Sequence, residues 1–301
     1  MSDSDGYQLD KRRIRHTFDR AAADYDRVAV LQREVGQRLL ERLDYIRLQP
    51  ATVVDIGAGT GHISKALAQR YKQARVMALD LAPNMLRTAR RNAGTLARLM
   101  RRQNFVCADA ERLPLADRSV DMIFSNLTLQ WCGALDQAFA EFRRVIKPGG
   151  MILFSSFGPD TLKELRDSWA VADNAVHVSA FIDMHDIGDA LMRSGFADPV
   201  MDAERFTLTY PDVRALMKEL KLIGAQNATA GRSRNLTGKG RLRAVTAAYE
   251  HHRVQGKLPA TYEVLYGLAW APSTATPPQT REQGVVKVPL AALRRHPSEK
   301  P

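Results

Sequence analysis

The chain has 301 residues and a hydrophobic fraction of 45%, enough for one large packed domain or one domain with a sizeable insertion. Its formal net charge is +11, with Lys11, Arg12, Arg13 and Arg15 near one end and Arg294, Arg295 and Lys300 near the other, and charge alone suits either an acidic partner or a plain basic surface. Two cysteines exclude a disulfide framework or a cysteine-rich metal site, and no apolar run approaches the roughly 20 residues of a membrane span. Cys107 and Cys132 lie in apolar surroundings and are expected to be buried free thiols. The first six residues are polar and lack an apolar signal region, so a soluble, cytoplasmic protein is expected.

Residues 1–50 read as helical. Phe18, Ala22, Tyr25 and Ala29, then Leu31, Val35, Leu39, Leu40 and Leu43, recur at helical spacing. After Pro50 comes a β-branched strand over 52–56, then Gly57-Ala58-Gly59-Thr60-Gly61 and a helix over 62–71. Strand 75–79 ends at Asp80, and Pro83 suits the first turn of a helix running to about 100. Strand 105–107 ends in Asp109-Ala110, and strand 120–124 ends in Ser125-Asn126-Leu127. Helix 134–146 is broken by Lys147-Pro148-Gly149-Gly150, and strand 151–154 follows.

Five strands joined by helices imply a doubly wound α/β sheet. Helices over 160–171 and 186–194 and strands over 200–210 and 262–270 complete a mostly parallel sheet of seven strands. Helices over 212–223 and 239–253 interrupt the last strand pair, as a lid over the ligand edge would. The expected division is 1–50 as helices closing over the site, 51–210 with 261–271 as the core, and 211–260 as the lid. Residues 272–301, rich in proline, serine and threonine at their start, are expected to be a disordered tail.

In such sheets ligands bind beyond the carboxyl ends of the strands. Here those ends carry Asp55 with its glycines, Asp80, Asp109 and Asn126. Asp80 follows the glycine turn by about twenty residues, where an acid can accept both hydroxyls of a ribose. A glycine turn plus such an acid fits a dinucleotide equally well. Asp55 would repel a pyrophosphate and suits a cofactor with a cationic amino acid end. Asp109 and Ala110 can flank an adenine. Together these features favour S-adenosylmethionine.

Val-Val-Asp-Ile-Gly-Ala-Gly-Thr-Gly (53–61), Ala-Leu-Asp-Leu-Ala-Pro-Asn-Met-Leu (78–86), Ala-Asp-Ala-Glu-Arg-Leu-Pro-Leu (108–115) and Arg-Val-Ile-Lys-Pro-Gly-Gly (144–150) resemble class I S-adenosylmethionine-dependent methyltransferases, which have a Rossmann-like fold. A closer resemblance lies outside that stretch. Phe18 to Asp26, Ser125 to Trp131, Phe154 to Leu165, Phe181 to Gly188, Gly224 to Asn227 and Leu258 to Gly267 are similar to the malonyl-acyl-carrier-protein O-methyltransferases of biotin synthesis. The resemblance implies methylation of the free carboxylate of a malonyl thioester, which lets fatty acid synthesis elongate it towards pimeloyl. It implies that Asp55, Gly57, Ala58, Gly59, Asp80, Leu81, Met85, Asp109, Ala110, Asn126 and Leu127 hold the methyl donor.

A malonyl carboxylate, with a pKa of roughly 4, is ionised at neutral pH and needs no general base. The chemistry then asks for proximity, orientation and removal of water. Tyr25 is the candidate to close over the methyl end of the donor. Gln130 and Trp131 should line the substrate mouth. Lys221, Arg232, Arg234 and Arg241 are candidate clamps for the carboxylate, and basic residues around the lid would suit an acidic carrier protein. Malonyl-coenzyme A is the other thioester open to it, and no nucleic acid or membrane partner is expected. His251 and His252 face different directions on one helix, so no metal is expected. Other acceptors remain open on sequence alone. They are those of a different carboxylate or quinone methyltransferase, of a complex I assembly arginine hydroxylase, or of a cofactor-binding assembly factor without activity.

Overall fold

The computed structural model describes residues 9–93, 103–173, 175–229, 231–232, 238–273, 281–282 and 285–286. Helices α1 (Lys11–Ala21), α2 (Tyr25–Val28) and α3 (Val30–Glu41) precede the sheet. Strands β1 (Thr52–Ile56), β2 (Arg75–Asp80), β3 (Gln103–Cys107), β4 (Val120–Ser125) and β5 (Ile146–Phe157) alternate with α4 (His62–Arg70), α5 (Pro83–Asn92) and α6 (Leu135–Val145). Then come α7 (Lys163–Ala170), α8 (Met184–Arg193), β6 (Ala197–Tyr210), α9 (Val213–Leu222), α10 (Lys239–Glu250) and β7 (Leu258–Trp270). The sheet order is β3-β2-β1-β4-β5-β7-β6, with β7 antiparallel to both its neighbours and the other pairs parallel.

Side chains alternate across a strand, so each apolar run feeds two cores. Val53, Met122 and Leu153 join α3 and α4 on one face. Val54, Ile123 and Ile152 join α6 and α8 on the other. The insertion between β6 and β7 carries α9 and α10, whose Leu216, Val245 and Tyr249 are buried in the first core. Among the described residues, no helix is long and apolar enough to cross a membrane.

Several boundaries differ from expectation. β6 and β7 pair from Ala197 opposite Trp270 to Tyr210 opposite Leu258, with one register shift between Ala197 and Val200, so β7 begins earlier than 262. Ladder hydrogen bonds extend a strand past its apolar run. β5 begins at Ile146, ahead of the glycines, with a register shift opposite Val120 and Met122 that absorbs Pro148 and Gly149. Helix α7 starts only at Lys163, because Leu162, in the left-handed region at φ 55°, donates its N–H to Thr261 O (2.7 Å). Cys132 is buried as expected, but Cys107 is exposed, because it ends β3 at the sheet edge. The expected extension of α5 beyond residue 93 lies outside the described residues. So does most of the tail; within it 281–282 pair antiparallel with 285–286.

Gly267 faces Phe154 across the β5–β7 pair, and a Cβ there would fall 2.1 Å from the ring. Phe154 is fully buried against Phe139, so it has no room to give. Gly267→Ala is expected to cost about 1–3 kcal/mol, read as a lower urea midpoint at unchanged slope.

Candidate active site

The connections leaving β1 and β4 pass to opposite faces of the sheet, which opens a crevice between their carboxyl ends. One cavity lies there. Of the sequence candidates, Gly57, Gly59, Asp80, Leu81, Met85, Asp109, Ala110, Asn126, Leu127 and Tyr25 all line it, whereas Asp55 and Ala58 do not.

The glycine turn is built tightly. Gly57 and Ala58 donate their N–H groups to Leu79 O (2.8 and 3.0 Å). At Gly57 (φ 73°) a Cβ would sit 1.8 Å from Thr128 Oγ1, so only glycine fits. Asp80 binds the turn from the next strand. Its Oδ2 accepts from Gly59 N and its Oδ1 from Ala82 N, both at 2.8 Å. Burial pushes the Asp80 carboxyl up to about 6, against the pull of those two N–H groups.

Asp55 does not meet the cavity, contrary to the role expected for it. Alternation along β1 puts it on the same face as Val53, over α4, where it accepts from Ser64 Oγ at 2.5 Å. Burial pushes its carboxyl up to about 7, and nearby Asp80 adds to the rise while Ser64 opposes it.

Asp109 Oδ1 accepts from Lys11 Nζ (2.9 Å) and Glu111 N (3.1 Å). The Asn126 amide is committed within the protein: it donates to Gln32 O (2.9 Å) and accepts from Ser155 Oγ (2.8 Å), which ties α3 to the sheet. Leu127 is held in the left-handed region at φ 49°, its N–H bonded to Ser155 O and Oγ. Such strain persists only where the surroundings impose it. Tyr25 starts α2 above Gly59, and burial, with Asp80 and Asp26 acting the same way, raises its phenol so that it stays neutral at pH 7.

Sequence reasoning did not assign Lys11, Ile14, Phe18, Thr128 and Cys132 to this cavity, yet all line it. Lys11 is hidden in the basic run 11–15, and Thr128 shows itself only through the space Gly57 must leave. Phe18 meets Trp131 edge-on, with ring centroids 5.3 Å apart. Burial pushes Cys132 up to about 12, so it is a neutral thiol.

Trp131 also lines a second cavity, together with Gln130. Of the expected cations, Lys221, Arg232 and Arg241 are not among the residues lining either cavity. Lys221 is exposed on α9. Arg232 donates to Thr229 O (2.9 Å) and lies 3.7 Å from Asp10, and Arg241 reaches Asp173 at 3.2 Å. Arg234 lies outside the described residues. For Lys221 and Arg241 the reason is amphipathicity: α9 and α10 turn their apolar faces to the core and leave these long cations outside. Among the described residues, no group of three or more His, Cys, Asp or Glu gathers to hold a metal ion.

Residues 54–154 match the methyltransferase domain family. Over 271 residues the chain is 55% identical to the malonyl-acyl-carrier protein O-methyltransferase of Methylovorus sp. (strain MP688), covering 89% of this chain and 92% of that protein. The chain belongs to the malonyl-acyl-carrier protein O-methyltransferase family. It is also 46% identical to the family member from Halorhodospira halophila (strain DSM 244 / SL1), over 98% of this chain and 99% of that one. Among solved structures, the YcgJ protein of Bacillus subtilis shares the fold, with a TM-score of 0.57 at 14% identity over 78% of this chain and 98% of that one. The family match is too long to be confined to the donor half, so it takes in the roof helices and the insertion as well.

The buried acid beneath the glycine turn has a measurable consequence. A carboxyl whose folded pKa is raised contributes stability that is present below about pH 4 and lost as pH rises towards 7. Asp55→Asn should therefore gain stability relative to the parent between about pH 5 and about pH 8. Urea midpoints at the two pH values check this, and an identical difference at both would contradict it.

Proposed function

We propose that this chain transfers the methyl group of S-adenosylmethionine to the free carboxylate of malonyl-acyl carrier protein. The methyl ester formed is the one that opens pimeloyl synthesis for biotin. The observation that carries this reading is 55% identity extending over 89% of the chain, well beyond the donor-binding residues 54–154. The reading places the enzyme in the cytoplasm, beside the fatty acid synthesis enzymes that elongate its product.

The donor cavity has the groups this cosubstrate asks for. Gly57 and Gly59 offer bare backbone, and Asp80 offers a carboxylate to the ribose hydroxyls. Asp109 and Ala110 flank the adenine, with Leu81, Met85 and Leu127 as apolar walls. Asn126 contributes by holding α3, and Asp55 and Ala58 support the turn from outside the cavity. S-adenosylmethionine, when bound, supplies a methyl group on a positively charged sulfur. The acceptor carboxylate is already an anion at neutral pH, so the chain need not remove a proton. Its task is to align the two partners and keep water out. Tyr25 closes the methyl end from above, and Phe18 packs Trp131 between the two cavities.

The same reading assigns the exposed Lys239 and Arg243 on α10 to docking of an acidic carrier protein, with malonyl-coenzyme A as a poorer thioester lacking that surface.

Incubation with labelled S-adenosylmethionine and malonyl carrier protein should place label in a base-labile methyl ester; no transfer to the carboxylate would overturn the reading. Asp80→Ala removes the acceptor of two charge-assisted bonds and is expected to weaken S-adenosylmethionine binding by about 100- to 10,000-fold, measured by calorimetry. Neutralising Lys239 and Arg243 together should raise KM for the carrier-bound substrate at low salt and have little effect at high salt. A salt-independent KM would remove the docking assignment.

A further inference from the structure

The second cavity lies beyond Trp131 from the donor cavity, and its walls come from α3, α7, the loop through His177 and the insertion. Several of its polar side chains already spend their hydrogen bonds inside the protein. Gln130 donates to Leu127 O (2.7 Å). Asn227 donates to Val176 O (2.5 Å) and accepts from Thr229. Thr161 donates to Glu263 O (3.0 Å). No lysine or arginine is among the described residues of the lining, where His177 is the side chain able to carry a positive charge.

His177 is held with unusual care for a loop residue. Its ring stacks on Trp169, with centroids 3.6 Å apart and planes within 10°. Its Nε2 meets Asp173 Oδ1 at 2.7 Å, and Asp173 Oδ2 takes Arg241 Nη1 of α10 at 3.2 Å. Nε2 is thus committed to Asp173, and Nδ1 is the nitrogen left for a ligand. A doubly protonated imidazole donates from both nitrogens, so with Nε2 on Asp173 the Nδ1–H of that form is a charge-assisted donor for a carboxylate.

We propose that His177 binds the acceptor carboxylate through Nδ1, and that Asp173 and Arg241 are positioning residues that set the ring and link it to α10. This rests on the carboxyl methylation proposed above. A single donor suits the chemistry. It holds one carboxylate oxygen and leaves the other free to attack, whereas a bidentate arginine would engage both. The carboxylate oxygen forms the new bond to carbon, the methyl–sulfur bond breaks with its electron pair staying on sulfur, and no proton moves. Arg241, expected from sequence to clamp the substrate itself, then acts through Asp173.

The test compares carrier protein loaded with malonyl and with acetyl, which lacks the carboxylate. The parent enzyme should bind the malonyl form about 10- to 100-fold tighter, the range of one charge-assisted hydrogen bond. His177→Ala should shrink that preference to about two-fold or less and raise KM by the same factor, with the Kd for S-adenosylmethionine unchanged. His177→Gln, which keeps an N–H donor, should recover part of the preference. A His177→Ala enzyme that keeps the preference overturns the proposal, and so does one that loses both carrier forms equally. Failure of the underlying reading looks different: the parent enzyme itself would move no label to the malonyl carboxylate.

Discussion

The grip of the Asp80 carboxylate on two backbone N–H groups sets the geometry on which the rest of the site depends. One oxygen holds Gly59 and the other Ala82, each at 2.8 Å. This joins the turn after β1 to the start of α5 after β2, two segments that the strand order alone would leave free to move apart. The acid is buried, so the bonds are worth more than surface contacts and the charge is harder to keep. Asp55 beneath the same turn repeats the pattern with Ser64. The nearby Asp80 charge adds to the cost of ionising Asp55, as Asp19 adds to that of Asp80.

The roof over this floor is held differently. Lys11 pairs with Asp109 and Glu111, Asp19 accepts from Asn84 N, and Phe18 leans on Trp131. Beside Lys11, the N-terminal end of the same helix is also tied to the insertion: Asp10 N donates to Ala228 O, and Arg13 Nε donates to Asn227 O. Partly exposed ion pairs contribute only about 0–1 kcal/mol each. The roof is therefore a sum of weak contacts spread across α1, α2 and the insertion, and such segments open at lower free energy than the sheet. A closed roof keeps water from the reacting groups, and an opening roof admits a ligand. One set of contacts couples α1 to the donor edge, through Lys11, and to Asn227, which borders the second cavity.

Much of the fold was legible because local chemistry specifies it. Val53, Val54 and Ile56 are β-branched and buried on both faces, Pro83 starts a helix, and the glycines after Asp55 turn the chain. Boundaries were less legible where pairing overrides composition. The early start of β7 and the delayed start of α7 both follow from hydrogen bonds to residues about a hundred positions away or on another strand. Cys107 looked buried because its neighbours are apolar, and only the position of β3 at the sheet edge exposes it. The cations of the insertion looked like substrate ligands because charge is easy to see in a sequence, whereas the helix face that carries it is settled by packing.

The sequence by itself determined the doubly wound sheet, the glycine turn and the acids at the ends of β1, β2 and β3. These depend on residue type and short spacing, which act over a few positions. Only the tertiary structure decided which acids line the cavity. It turned Asp55 towards Ser64 and Asp80 into the cavity, because the pleat assigns each strand position a side. It also brought Lys11 to Asp109 across 98 residues, and Arg241 through Asp173 to His177. Contacts between such distant positions leave no periodicity in the chain; they exist because two cores, one on each face of a single sheet, hold the elements that carry them in place.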